Sequence, residues 1–188
     1  GSGKSSLLSV IAGLEQPTSG TVNVAGQELQ NLNEDQLALF RRGTVGIVFQ
    51  SFHLIPTMTA LENVAVPLEF AGAPDAFEIA RAQLDAVGLG AREGHYPGQL
   101  SGGEQQKICI ARAIVNQPSI LLCDEPTGNL DPETSWEIVH LLTKINAHNT
   151  TVVMATHDTE IVDGIPKRVI AVENGVLARD QVLGTYVA

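Results

Sequence analysis

The amino-acid sequence predicts an α/β fold: a mostly parallel sheet with helices on both faces. Three observations carry that expectation. Strand-like and helix-like segments alternate along the chain, and several of the strands are continuous apolar runs rather than alternating ones. The chain is also 188 residues long and 44% hydrophobic, enough to bury a substantial core. Strands that are apolar throughout belong to sheets covered on both sides.

In chain order, residues 5–12 read as a helix that follows the opening glycines. Residues 21–24 and 45–49 read as short strands, the second ending at Gln50. Between them residues 34–42 are helical, with Leu37 and Phe40 three apart on one face. Residues 76–87 form another helix carrying Ile79, Leu84 and Val87, with Gly88 placed to close it. Residues 104–116 are helical and lead into the apolar strand 120–123. Asp131-Pro132-Glu133 combines a cap, a first-turn proline and a first-turn acid, opening a helix to about residue 145. Residues 151–155 are a β-branched strand, and 168–172 read as one more. The stretch 51–98 is richer in helix and is expected to form a separate helical lobe within one domain spanning 1–188.

Composition narrows the function. Formal net charge is −10, with Lys and Arg totalling 11, so an unaided grip on nucleic-acid phosphates is not expected. Cys109 and Cys123 sit in apolar stretches, as buried small hydrophobes do, and no C-x-x-C spacing points to metal or redox chemistry. No run approaches eighteen consecutive apolar residues, so a link to a membrane is expected to pass through a partner.

The chain opens on Gly1-Ser2-Gly3-Lys4-Ser5, the tail of the pattern G-x-x-x-x-G-K-[ST], whose first glycine would lie three residues before Gly1. Such a loop turns backbone N–H groups inward around phosphate oxygens, and the helix behind it adds its positive end. Lys4 would reach the β- and γ-phosphates of ATP, and the Ser5 hydroxyl would ligate Mg2+, with Ser6 beside it in the nucleotide-binding run. The bland alternative is a flexible G-S-G at a chain end. The reading places the start of the chain inside its own phosphate-binding loop, as a truncation.

Ile120-Leu121-Leu122-Cys123-Asp124-Glu125 is an apolar strand ending in two acids. That placement suits Asp124 to hold Mg2+ through water and Glu125 to orient an attacking water as general base. Solvated acids at a strand end are the alternative. Leu100-Ser101-Gly102-Gly103-Glu104-Gln105-Gln106 puts a serine and two glycines at the opening of a long helix, an anion-binding end. Ser101 could equally be a simple helix cap. Its position, 51 residues after Gln50 and 23 before Asp124, weighs against the cap.

With these strings in order the chain resembles the nucleotide-binding domain of ABC ATPases, over essentially all of its length. The resemblance implies a P-loop NTPase core with a helical lobe, working as a dimer in which the signature loop of one subunit closes over ATP held by the other. Ser101, Gly102 and Gly103 match that signature, with Glu104 departing from the commoner glutamine. Gln50 matches the Q-loop, which contacts Mg2+ or water and senses the membrane partner. Asp131, in Asn129-Leu130-Asp131, matches the D-loop, implying a role across the dimer as well as at its helix. His157, in Met154-Ala155-Thr156-His157-Asp158, matches the switch histidine of the γ-phosphate.

The resemblance further implies a homodimer, an integral membrane permease-like partner, and a place at the cytoplasmic face of the membrane. It also implies that the strand feeding the phosphate loop, and an aromatic residue that stacks on adenine, precede Gly1. Residues 1–188 alone are therefore expected neither to fold stably nor to turn over ATP usefully. Within the family, residues 40–64 look most like the lipoprotein-release type, and residues 131–136 with 167–170 and 179–186 look like the cell-division (FtsE-like) type. The cell-division type is the first choice; lipoprotein-release and macrolide-export types are alternatives. Soluble ABC ATPases of repair or translation fit less well. Lys4 and Asp124 are only 120 residues apart with no intervening heptads, and the chain is single and acidic.

Overall fold

The computed structural model describes residues 2–186. Helix α1 (Lys4–Ile11) is followed by a small hairpin, β1 (Asn23–Val24) and β2 (Gln27–Glu28), then α2 (Glu34–Thr44) and β3 (Val45–Val48). Helices α3 (Ala60–Phe70), α4 (Ala76–Ala86) and α5 (Gly102–Ile114) precede β4 (Ile120–Asp124). Then come α6 (Pro132–Ala147), β5 (Thr151–Ala155), α7 (Thr159–Gly164), β6 (Val169–Glu173) and β7 (Val176–Gln181).

The central sheet has the order β3-β4-β5 and is parallel throughout. β3 and β4 are apolar on both faces because both faces are covered, while β5 leaves Thr151 and Val153 exposed on one side. Val45, Ile47 and Leu122 pack against Leu8 and Ala12 of α1. Val48, Leu121 and Cys123 point the other way, against Ile110 of α5 and Ile138 and Leu142 of α6. The register pairs Val48 with Cys123 and Asp124 with Ala155. All three strands therefore end at one edge, which brings Gln50, Asp124-Glu125 and His157 to the same rim. Ligand sites in parallel sheets form at this edge.

Helix α5 joins two cores. Its stripe Ile108, Ala111 and Val115 packs against Val64 and Leu68 of α3 and Ala80 and Leu84 of α4, while Ile110 faces the sheet. Before α3, the fully buried Asn63 holds the loop in place. Its Oδ1 accepts from Ile55 N–H (2.8 Å), and its Nδ2 donates to the carbonyls of Ile55, Met58 and Thr59 (3.1, 3.1 and 3.0 Å). Capping boxes open three helices: Asn33 with Gln36, Thr59 with Glu62, and Ser101 with Glu104.

Two strand expectations change. The strand expected over 21–24 shrinks to Asn23–Val24, because Val22 is bonded elsewhere: its N–H donates to Gln30 Oε1 (2.9 Å) and its carbonyl accepts from Leu29 N–H (2.9 Å). The strand expected over 168–172 forms as β6, but it pairs antiparallel with β7 and stands apart from the parallel sheet. The Asn174-Gly175 turn reverses the chain there, both residues having positive φ (50° and 77°). Gly88 adopts φ 78° just beyond α4, the left-handed conformation expected of a closing glycine.

Candidate active site

Gly1 lies outside the described residues. Gly3 caps α1 with φ 90° and no side-chain hydrogen bond, so the first N–H groups of Lys4, Ser5 and Ser6 stand at an open helix end with no acidic residue in that turn. Lys4 Nζ donates to Ser2 Oγ at 3.1 Å. The end is thus electropositive and ready for an anion.

At the end of β4, Asp124 Oδ1 is buried and has no hydrogen-bond partner. A buried carboxylate oxygen in that condition is costly unless a cation or donor meets it, so Asp124 fits a metal-holding role. Glu125 leaves the strand sharply. It adopts φ 49°, a left-handed conformation unusual for a residue with a Cβ, held by its N–H to Ala155 carbonyl (2.9 Å) and its own carbonyl to Gly128 N–H (3.1 Å). The turn carries its carboxylate to His157, with Oε1 and Nδ1 2.8 Å apart. Because an ionised carboxylate only accepts, Nδ1 carries the hydrogen of that bond, and Nε2 is the nitrogen left for any other partner. The Glu125 side chain is 16% exposed and that of His157 71%, so the acid is sheltered and the ring is open. A groove of about 420 Å³ runs past them, lined by Gly128, Trp136, Asp158 and Thr159 among others.

Gln50 meets the loop after Glu125. Its carbonyl accepts from Asn129 Nδ2 (3.2 Å), and a Cβ added to Gly128 would lie 2.9 Å from its Nε2. Asp131 caps α6, accepting from Thr134 N–H at 3.0 Å and from the Thr134 hydroxyl at 2.6 Å, and these bonds hold its carboxyl below the usual range.

Ser101 corrects one reading. Its position in the chain weighed against a capping role, yet its Oγ accepts from Glu104 N–H (3.2 Å) while Glu104 Oε2 accepts from Ser101 N–H (2.8 Å). The helix end must be satisfied within the chain, and this serine is the nearest acceptor. The Ser101 N–H, then the Arg92 guanidinium, hold the Glu104 carboxyl below its ordinary range. Among the described residues, no hydrogen bond joins 101–103 to 2–6. The structure therefore brings Glu125 to His157 and Gln50 to the 128–129 loop, and leaves the Ser101 end apart from the Lys4 end.

Several supporting residues carried no signal at the sequence level. Arg112 donates to the carbonyls of His53 (2.9 Å) and Phe52 (3.2 Å), and Cys109 Sγ donates to Phe52 carbonyl (2.9 Å), fastening α5 to the loop after Gln50. Thr134 lies where a Cβ on Gly103 would collide with its methyl. Burial pushes the Cys109 thiol up to about 11 and the fully buried Cys123 higher still, so neither is poised as a nucleophile.

The geometry so far is an open helix N-terminus at α1, with a buried acid and a carboxylate–histidine pair at the rim of a parallel sheet. The ABC transporter family profile matches residues 1–128. The chain is 46% identical to the cell division ATP-binding protein FtsE of Bacillus subtilis, over 99% of this chain and 82% of that protein. It is also 46% identical to the macrolide export ATP-binding/permease protein MacB of Chromobacterium violaceum, over 96% of this chain but 28% of that protein. Among solved structures, a dimeric post-hydrolysis state of the ATP-binding cassette MJ0796 bound to ADP and Pi superimposes with a TM-score of 0.87. That match is at 39% identity and covers 98% of this chain and 82% of the other. The chain belongs to the ABC transporter family, as one of its ATP-hydrolysing subunits. Among the described residues no helix is long and apolar enough to cross a membrane.

Proposed function

We propose that this chain is the ATPase of a cell-division type ABC complex, hydrolysing ATP with Mg2+ to drive a membrane partner mechanically. The observation that carries the site assignment is the Glu125–His157 contact beside the unpartnered Asp124 oxygen. Ser2, Gly3, Lys4, Ser5 and Ser6 take the phosphates, with Lys4 as the cation. Ser5, Gln50 and Asp124 would hold Mg2+, which would neutralise charge on the transferred phosphoryl group. Glu125 accepts the proton of the attacking water, and His157 keeps that carboxylate in place through Nδ1. With Nδ1 so engaged, His157 can donate to phosphate only from a protonated Nε2.

The exposed position of Ser101 at the start of α5, apart from the Lys4 end, supports a two-subunit site completed by a second copy, with Asp131 near the contact between copies. The solved relative MJ0796 is dimeric. The helical stretch 51–98, fastened to α5, is the lobe that would relay closure to a permease-like subunit, placing the ATPase peripherally at the cytoplasmic face of the membrane. The cell-division type is preferred because residues 131–136, 167–170 and 179–186 resemble it, and the FtsE relative is 46% identical over 99% of this chain.

The test is Glu125→Gln in the purified full-length subunit. Turnover should fall by on the order of a hundredfold or more, as loss of a general base does, with ATP binding kept and an ATP-dependent dimer accumulating. Near-normal hydrolysis would refute the assignment. Co-purification of the subunit with a separate permease-like polypeptide would support the cell-division type over a fused exporter.

A further inference from the structure

We infer that the two-residue turn Asn174-Gly175, at the tip of the β6–β7 hairpin, positions the phosphate-binding loop. The two elements are far apart in sequence, yet Gly175 N–H donates to the Ser2 carbonyl at 3.1 Å. A Cβ built on Gly3 would lie 3.7 Å from Gly175 Cα, ordinary van der Waals contact, so the two backbones touch.

The chemistry of a phosphate loop explains why such a contact matters. A loop that turns its N–H groups toward an anion must turn carbonyls elsewhere, and each of those needs a donor. Ser2 carbonyl precedes Gly3, whose φ of 90° sets the entry to α1. Its donor comes from a turn that is itself stiff. Glu173 pairs with Val176, and both residues between them are left-handed, as in the type I′ hairpin whose twist matches the strands. In that turn the closing bonds use residues 173 and 176, so Gly175 N–H is free to point outward.

The base of the hairpin is tied to the body of the protein. Lys167 Nζ donates to Asn146 Oδ1 of α6 (3.0 Å) and Tyr186 N–H donates to Asp163 of α7 (2.6 Å), while a bidentate Arg168–Asp180 pair (2.8 and 2.6 Å) clamps the two arms of the hairpin to each other. The hairpin thus connects α6 and α7 to the loop that would hold ATP. Gly175 is a positioning residue; it meets no reacting atom.

This inference rests on the assignment of Ser2 to Ser5 as the phosphate loop, and the test separates the two. A Cβ at residue 175 would meet nothing within 4 Å, so a side chain there acts through backbone conformation and not through a clash. In the purified ATPase, Gly175→Val, which cannot easily hold φ 77°, should shift the turn and lose the bond to Ser2. The expected result is a KM for ATP raised roughly three- to tenfold, the fold-change one net hydrogen bond commands, with kcat little changed. Gly175→Asn, which tolerates the left-handed region, should restore KM. An unchanged KM in Gly175→Val would overturn the inference, and if that variant does not fold, Gly175→Ala is read the same way. Lys4→Ala should abolish ATP binding whatever Gly175 does; if it does not, the loop assignment itself has failed.

Discussion

Gly103→Ala offers a sharp test of how the Ser101 loop is built into the fold. A Cβ at Gly103 collides with the Thr134 methyl, and Thr134 cannot swing away freely. It is β-branched and stiff at χ1, and its hydroxyl donates to Asp131 Oδ2 at 2.6 Å, so rotating the methyl out breaks part of the α6 cap. Overpacking of this kind costs about 1–3 kcal/mol. Replacing a helical glycine by alanine returns about 0.5–1 kcal/mol, leaving a net loss of about 0–2.5 kcal/mol, centred on about 1 kcal/mol. Thr134→Ser removes the colliding methyl and keeps the hydroxyl, so Gly103→Ala/Thr134→Ser should recover most of the loss. Urea unfolding of the four proteins gives the coupling directly, expected at about 1 kcal/mol or more in the stabilising sense. ATP turnover should follow the same pattern, falling in Gly103→Ala and rising again in the double variant. If the two single effects simply add, within about 0.3 kcal/mol, the close approach of α5 to α6 is not the reason for this glycine.

Two further outcomes are expected. Asn63→Ala removes an amide that satisfies four backbone groups of the 55–59 loop and should lower stability by about 2–3 kcal/mol, read as a shifted urea midpoint with faster proteolysis in that loop. Glu104, whose folded-state carboxyl is depressed by the Ser101 N–H and then by Arg92, contributes stability that is present above its ordinary range and lost as pH falls through its folded value. Glu104→Gln should therefore lower stability in the neutral region and flatten the acid limb of a stability-versus-pH curve, with the two proteins converging at low pH; an unchanged acid limb would remove Glu104 from the account.

Strands β3 and β4 could be read from sequence because burial on both faces leaves them apolar, whereas β5, exposed on one face, was read from its β-branched residues. Val45 and Val48 face opposite helices, so neither can be polar, and the same holds for Leu121 and Leu122. The opening of α6 was legible for a local reason: Asp131 and Pro132 carry cap and first-turn geometry in their own chemistry. The hairpin of β6 and β7 was half legible. The strand over 168–172 was read, but β7 was not, and which strand β6 would pair with depends on a partner that sequence spacing does not name. At the site, Glu125 and His157 stood out singly, 32 residues apart, while their contact did not. It depends on the β4–β5 register and on a left-handed backbone at a glutamate, neither of which has a compositional mark. Ser101 shows the limit from the other side. The same serine that opens an anion-binding helix end also caps it, because a helix in one chain must satisfy its own first N–H groups before a second chain arrives. The cap uses only a lone pair of Oγ, so the Ser101 hydroxyl hydrogen stays available to an acceptor such as a phosphate, and the two uses do not compete.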